Sequence, residues 1–339
     1  GVGGSYTTLT AAVAAYNSSC LSGPVTFSLT DATYPSETFP ITINANANAS
    51  ATNTLTIKPS SGVTSAITGS LASGALIRLN GADYVTIDGS NNGSSSRDLT
   101  ITNSSLTAPT AISLVSAGLG AGATNNTIKN VKINTGVATT AGYGIAIGGA
   151  PGAGGADNDN NQLINNKITD ATIGIFSSGT TAVTAGANDG LVVQTNDIST
   201  STTSTLLVKG IQLVNTLGAT VSGNQVSIET TNAGQPDITM SMCVEGALVW
   251  HNFDDKSVPY ASTGKTLTRM HQAIPNLRWE TRAVAATSTG WMWQAAIRGT
   301  APGGEICAHS VMIVTLNDEG LITQLDEYID PSQLSALRG

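Results

Sequence analysis

The chain has 339 residues, a net charge of −8 and an isoelectric point of about 4.7. It has no cluster of Lys and Arg, so its charge gives no footprint for binding nucleic acid or an anionic membrane. Because no apolar run approaches the ~20 residues that a membrane-spanning helix needs, we also expect no membrane insertion.

A change in composition divides the chain near residue 235. All five Met, all four Trp and all three His lie at position 240 or beyond, and turn-forming residues fill 230–237. One uniform fold would not sort residue types in this way. We therefore predict two domains, residues 1–235 and 236–339.

Two motifs alternate through the first domain, after a short amphipathic helix predicted between Tyr6 and Tyr16. One is an apolar residue followed five positions later by another, and the other is a small residue followed by alternating apolar positions. The copies of the first motif are Ile101–Leu106, Ile128–Ile133, Leu163–Ile168, Val193–Ile198 and Val221–Val226. They are 27, 35, 30 and 28 residues apart.

This spacing predicts a solenoid. Two short strands in each period of about 30 residues favour an all-β right-handed parallel β-helix. Ile, Val and Leu would fill its narrow core, while Asn and Gly at the bends would stack between coils. The predicted helix would cap the N-terminal end against edge pairing.

The region from Gly3 to Ser104, with TLTAAVAAYN, TLTIKPSSGV and GADYVTIDGS, resembles the β-helix regions of large secreted surface proteins of Bacteroidetes-type bacteria. The resemblance covers residues 3–228 and implies an extracellular or cell-surface location, without a specific activity. Some parallel β-helices cleave polysaccharides with clustered acids or a Ca²⁺ site. Asp157 and Asp159 are the nearest approach to such a cluster, and we interpret them as part of a solvated loop.

Longer strands and one helix are predicted in the second domain. The helix covers 263–272, where apolar residues recur at helical spacing, and a hairpin turn falls at 317–320. The predicted strands are 242–252, 277–288, 290–299, 305–316 and 321–330.

Three segments of this domain resemble the SnoaL-like (nuclear-transport-factor-like) family: ALVWHN at 247–252, RGT at 298–300, and DEGLI at 318–322 leading to EYIDP at 327–331. The resemblance implies a small α+β domain whose curved sheet and helices close a conical pocket for a hydrophobic small molecule. Such domains are commonly cytoplasmic. The resemblance also suggests a homodimer through the outer sheet face, where Tyr328 and Ile322 lie.

The chain departs from this family before the first strand. Members begin with one or two helices, whereas only residues 229–241 remain here, and they are poor in helix-forming residues. The pocket is therefore expected to lack part of its wall. A β-helix surface supplies it, another chain does, or the sequence joins two unrelated pieces.

One acidic residue stands out as a catalytic candidate. Strand alternation over 321–330 puts Glu327 on the apolar face with Thr323, Leu325 and Ile329. An apolar setting raises the pKa of a carboxyl group towards the range useful for proton transfer. In SnoaL-like cyclases an aspartate at the matching position is the general acid/base. The family's partner histidine falls near Met312. His309, three residues earlier, is a weaker candidate for that role, and we favour its interpretation as a polar strand residue near a turn.

The predicted ligand-pocket residues lie on the first predicted strand of the second domain and on the elements that follow it. For Trp293, packing in the core is an alternative interpretation. These residues are Trp250, His251, Asn252, Tyr260 and Trp293. Their types and spacing predict no metal site and no cofactor.

Three functions are compatible with these features. The first is an exported surface or scaffold protein with a C-terminal module that binds a small molecule. The second is an acid/base enzyme of isomerase, cyclase or hydrolase type acting on a hydrophobic small molecule, with Glu327 as the proton carrier. The third is a carbohydrate-binding or carbohydrate-cleaving β-helix.

Overall fold

The computed structural model describes residues 1–135, 142–199, 209–227, 243–274, 276–317 and 321–338. The chain divides into two compact units, Gly1–Ile228 and Glu229–Gly339. The predicted junction at 230–237 and the segment 229–241, which the sequence predicts to be poor in helix, lie outside the described residues.

The described residues of the N-terminal unit form one helix and a series of short strands. The helix is α1 (Leu9–Asn17). The strands are β1 (Val25–Leu29), β2 (Ile41–Asn44), β3 (Leu55–Pro59), β4 (Ser65–Gly69), β5 (Ala75–Asn80), β6 (Val85–Asp88), β7 (Leu99–Asn103), β8 (Thr110–Val115), β9 (Thr127–Lys129), β10 (Val131–Asn134), β11 (Tyr143–Gly148), β12 (Gln162–Ile164), β13 (Lys167–Thr169), β14 (Ile173–Ser178), β15 (Asn188–Asp189), β16 (Val192–Gln194), β17 (Asp197–Ser199), β18 (Lys209–Val214), β19 (Thr216–Leu217), β20 (Thr220–Ser222) and β21 (Gln225–Ser227).

Three long parallel sheets run along this unit, and each complete coil gives one strand to each sheet. Their orders are β1-β3-β6-β9-β12-β16-β20, β4-β7-β10-β13-β17-β21 and β2-β5-β8-β11-β14-β18. A small fourth sheet pairs β15 with β19. The described residues thus contain five coils with a strand in all three sheets, and the predicted parallel β-solenoid is confirmed.

The expectation of two strands per coil is wrong, because the first motif contains a bend. Its third residue adopts a left-handed backbone, with φ of 59° at Asn130 and 52° at Asn165. Asparagine tolerates this conformation better than most residues. The apolar residues on either side therefore lie in different sheets, Ile128 in β9 and Ile133 in β10.

The prediction for the earliest copy of that motif, Ile101–Leu106, is also wrong. Ile101 pairs with Ile133 in the second sheet, so it occupies the second apolar position of its coil and not the first. Leu106, its supposed partner, is 63% exposed. The apolar residue of this coil in the first sheet is Ile87, which pairs with Ile128.

The core is a continuous apolar column formed by in-register residues, and α1 closes its N-terminal end. The side chains of Leu9, Val13 and Tyr16 join this column, which confirms the predicted helix. The Glu37 carboxylate accepts hydrogen bonds from the first helical N–H groups, at 2.6 Å from Leu9 N. An acid at this point satisfies amides that have no partner within the helix.

Asparagine ladders connect successive coils at the bends, as predicted. The Oδ1 atom of Asn166 accepts from Val131 N at 3.1 Å, and Asn166 N donates to Asn196 Oδ1 at 2.9 Å. Asn196 N continues the ladder to Asn224 Oδ1. Because Asn166 and Asn196 are buried, these bonds supply partners to backbone groups that water cannot reach.

The described residues of the C-terminal unit form a six-stranded mixed sheet, one α-helix and a final 3-10 helix. Its sheet order is β23-β22-β27-β26-β25-β24, and β22 pairs with β27 in parallel. The elements are β22 (Cys243–His251), β23 (Lys256–Pro259), α2 (Tyr260–Ala273), β24 (Arg278–Thr287), β25 (Gly290–Ala301), β26 (Gly304–Leu316), β27 (Ile322–Ile329) and a 3-10 helix (Pro331–Arg338).

The predicted fold class, a parallel solenoid followed by a small α+β domain, is therefore confirmed. Strand β23 and the 3-10 helix were not predicted, and most of the predicted hairpin turn, residues 318–320, lies outside the described residues. In the part of the chain that the structure describes, no helix is long and apolar enough to cross a membrane.

Candidate functional site

The C-terminal sheet has one face that combines apolar side chains with an ionisable pair. We call it the inner face, and it is defined by Glu327 on β27, His251 on β22, Met312 on β26 and Trp293 on β25. Strand register brings these residues together: Glu327 lies opposite both His251 and Met312, and Met312 lies opposite Trp293. Because side chains alternate along a strand, these four point to the same side.

Glu327 is a largely buried acid. Its side chain is 19% exposed, and Oε2 lies 3.8 Å from Nε2 of His251, whose side chain is 16% exposed. Burial raises the pKa of Glu327, and the charge of His251 acts in the opposite direction. The carboxyl group therefore sits next to a proton acceptor in surroundings that favour its protonated form.

The turn after β22 holds His251 in place. Asn252 N donates to Glu327 O at 3.0 Å, and Ile329 N donates to Asn252 Oδ1 at 2.8 Å. The His251 ring stacks on Phe253 with centroids 5.1 Å apart. Asn252 was predicted to line the pocket, but its side-chain oxygen accepts a hydrogen bond from the backbone of β27.

Helix α2 and the neighbouring strands supply apolar surroundings. Tyr260, at the start of α2, is buried with Ala247 and Val249, and Leu325 packs against them. Trp293 is half-buried, and its Nε1 donates to Thr281 Oγ1 at 3.0 Å, which fixes the indole ring. Tyr260 and Trp293 therefore belong to the same face as Glu327.

A buried hydroxyl group lies on the inner face as well. Ser310 is two residues from Met312 on β26 and is 2% exposed. Its Oγ has no hydrogen-bond partner among the described residues. A buried hydroxyl without a partner is costly, which makes it a point where a ligand's polar atom would be stabilised.

Two of the predicted site residues lie on the opposite face. His309 is three residues from Met312 on β26, so alternation directs it away from Glu327. Trp250 precedes His251 and stacks edge-on against Tyr328, with centroids 5.4 Å apart, while its Nε1 donates to Asp255 Oδ1. The structure does not bring His309 or Trp250 to the candidate acid.

A shallow groove opens beside this opposite face, with a volume of about 560 Å³. The Glu327 side chain does not line it. It is lined by Asn252, Phe253, His309, Tyr328, Ile329, Asp330 and Pro331. The predicted pocket residues are therefore divided between two surfaces, with His251, Tyr260 and Trp293 on the side of the buried acid.

The N-terminal unit uses its candidate acids to fasten loops. Asp157 accepts from Gly120 N at 2.5 Å and from Gly186 N at 3.0 Å, and Asp159 accepts from Asp189 N at 2.7 Å. The interpretation of these two residues as part of a solvated loop is therefore incomplete, because both carboxylates accept hydrogen bonds from the backbone. In the described part of the chain, no group of three His, Cys, Asp or Glu is arranged to hold a metal ion.

The C-terminal unit is thus an α+β fold that presents an acid–histidine pair on an apolar sheet face. Several solved structures resemble part of the chain. PrhC from Penicillium brasilianum NBRC 6234 is 13% identical with a TM-score of 0.29, over 31% of this chain and 76% of that one. A SnoaL-like polyketide cyclase from Jannaschia sp. CCS1 is 15% identical with a TM-score of 0.28, over 31% of this chain and 78% of that one.

A phenazine biosynthesis-related protein from Pseudomonas aeruginosa is 16% identical with a TM-score of 0.27, over 32% of this chain and 74% of that one. No family model matches the chain, and no curated protein matches it. Likenesses this distant say nothing about activity. A function has to be argued from the residues of the inner face.

Proposed function

We propose that the C-terminal unit binds an apolar small molecule on its inner face. The observation that carries this proposal is the Glu327 carboxyl group, which is buried among apolar side chains with a raised pKa. A buried acid costs stability, and perturbed acids concentrate at functional sites. Met312 beside it and Trp293 on the next strand offer a surface for a flat apolar ligand.

The solenoid then serves as a scaffold, and we propose that the protein works outside the cell or at its surface. The resemblance of residues 3–228 to secreted surface proteins of Bacteroidetes-type bacteria supports this location. The solenoid's side chains support a structural role, since its apolar residues fill the core and its buried asparagines bond to neighbouring coils. Tyr6 is the one exposed aromatic residue among the described residues of this unit, so nothing favours the carbohydrate alternative.

Binding can be tested on the full chain with 2-tetralone, a flat apolar ketone, as the probe. We expect saturable shifts in the NMR signals of the Trp293 indole and the His251 ring. Trp293→Ala should weaken binding about tenfold, equivalent to about 1.4 kcal/mol of lost contact. The matched control is Tyr328→Ala, an exposed aromatic residue next to Glu327 in sequence but on the opposite face. Loss of binding in the control alone would contradict the proposal.

A second candidate function, acid/base catalysis, is favoured by the contact of 3.8 Å between Glu327 Oε2 and His251 Nε2. The pair can carry a proton to and from a bound ligand without any change in the fold. Exchange of the α-hydrogens of 2-tetralone in deuterated water is the assay. Glu327→Gln should slow catalysed exchange by about 10²–10⁴-fold while leaving affinity unchanged. Binding without catalysed exchange would remove this candidate and keep the first.

We also propose a homodimer through the outer sheet face. Tyr328 is 43% exposed on that face. Ile322, which the sequence also predicted to lie in the dimer contact, is buried. Tyr328→Arg should therefore convert a dimer into a monomer in analytical ultracentrifugation, because a charged group opposes the contact. A wild-type chain that stays monomeric at high concentration would contradict the proposal.

A further inference from the structure

A second carboxylate faces His251 from the side away from Glu327. Asp254 Oδ1 lies 3.9 Å from His251 Nδ1, while His251 Nε2 faces Glu327 at 3.8 Å. The imidazole thus stands between two acids, each facing a different ring nitrogen. The two acids differ in exposure, since the Asp254 side chain is 36% exposed and that of Glu327 is 19% exposed.

The hairpin between β22 and β23 places Asp254 at this point. His251 pairs with Lys256 across the two strands, so the four residues 252–255 form the connection. Asp255 takes φ of 51°, which turns the chain back, and Asp254 Oδ1 accepts from Lys256 N at 3.3 Å. The turn therefore fixes the position of the Asp254 carboxylate next to His251.

We infer that Asp254 is a positioning residue, which keeps the hydrogen of neutral His251 on Nδ1 and leaves Nε2 open to Glu327. This inference rests on the proposed function of the inner face. The ring carries its hydrogen on whichever nitrogen faces the better acceptor, and an ionised carboxylate is a strong one. Proton transfer then breaks the Glu327 O–H bond and forms an Nε2–H bond, with the reverse step restoring both groups.

Two other charged side chains near the ring, among the described residues, do not compete for Nδ1. Lys256 lies directly opposite on β23 and has no acceptor for an N–H group. Asp255 is occupied by Trp250 Nε1 at 3.0 Å, and Trp250 is on the other face.

The test is the tautomer of His251 in the full chain, read from ¹⁵N shifts of the imidazole nitrogens. The chain has three histidines, so His251→Gln assigns the signals. We expect the Nδ1–H form to predominate in the neutral ring. Asp254→Asn should lower the ratio of Nδ1–H to Nε2–H about threefold, as for a part-exposed charge pair. Asp254→Glu should restore most of it, and the matched control Asp255→Asn should leave it unchanged.

A wild-type ring with its hydrogen on Nε2, or an unchanged ratio in Asp254→Asn, would overturn the inference. Measuring the same change in a Glu327→Gln background shows whether Asp254 acts on its own. The tautomer is independent of any ligand. A correct tautomer in a chain that binds no 2-tetralone would therefore preserve the inference and refute the proposed function.

Discussion

The two units of this chain use buried polar groups in opposite ways. In the solenoid, the buried side chains of Asn166 and Asn196 both accept hydrogen bonds from a neighbouring coil through Oδ1 and donate to a neighbouring coil through Nδ2. In the C-terminal unit, Glu327 is buried beside a single ionisable partner and Ser310 Oγ has no partner among the described residues. The first pattern stabilises a fold, and the second costs stability, as perturbed groups at functional sites do.

The apolar residues differ in the same sense. One continuous column runs through the solenoid, whereas the C-terminal unit has two small clusters on its sheet. Trp293 and Met312 are half-buried and belong to neither cluster. We therefore expect the coils to be the more stable part of the molecule, and any chemistry to be confined to the inner face.

The largest effect is expected from opening a cavity in the column. Leu163→Ala removes a fully buried side chain, so the free energy of unfolding should fall by about 2–5 kcal/mol. Val221 lies in the same row of the first sheet but is 48% exposed, so Val221→Ala should cost far less. Circular dichroism during denaturant unfolding measures both. Equal losses would mean that the column is not the source of stability.

A smaller loss is expected from breaking an asparagine ladder. Asn166→Ala leaves Val131 N–H and Ile128 C=O without their side-chain partner, which should cost about 1–3 kcal/mol. Asn224, near the last strand, is only half-buried, so water can replace it and Asn224→Ala should cost less. Hydrogen exchange at the Val131 amide should speed up in the first variant. Unchanged protection there would contradict the ladder's role.

Glu327→Gln should have the opposite sign and stabilise the C-terminal unit at neutral pH. Because the folded pKa of Glu327 lies above the unfolded value of about 4.3, the wild type loses stability as pH rises from that value through the folded pKa. Each pKa unit is worth about 1.4 kcal/mol. The variant removes this loss and should differ little from the wild type below the unfolded pKa.

Tryptophan fluorescence during urea unfolding at several pH values measures this effect, since all four Trp lie at position 250 or beyond. The matched control is Glu245→Gln on β22, where the acid is exposed. A pH profile in Glu327→Gln identical to that of the wild type would show that Glu327 is not the titrating group.

Periodicity predicted much of the fold, because buried rows leave a regular trace in the sequence. It did not show the bends at Asn130 and Asn165, since a residue in a left-handed conformation interrupts a strand without interrupting the apolar spacing. Strand β23, with Lys256 and Pro259 at its ends, has almost no apolar pattern and was missed.

The candidate site was predictable only in part. Alternation within β27 was enough to place Glu327 on the apolar face. The pairing of Glu327 with His251 depends on β22 lying parallel to β27, and no local pattern in either strand specifies its neighbour. For the same reason the sequence suggested His309, which the register of β26 directs to the other face.

The register of the solenoid has a consequence for how such chains change in length. Ile133, Ile168, Ile198 and Val226 occupy equivalent positions and are 35, 30 and 28 residues apart, so the corner loops absorb the differences. We therefore expect the corners to tolerate insertions, and whole coils to be duplicated or lost as modules. The inner face has no such freedom, because its acid and its histidine come from strands that occur once.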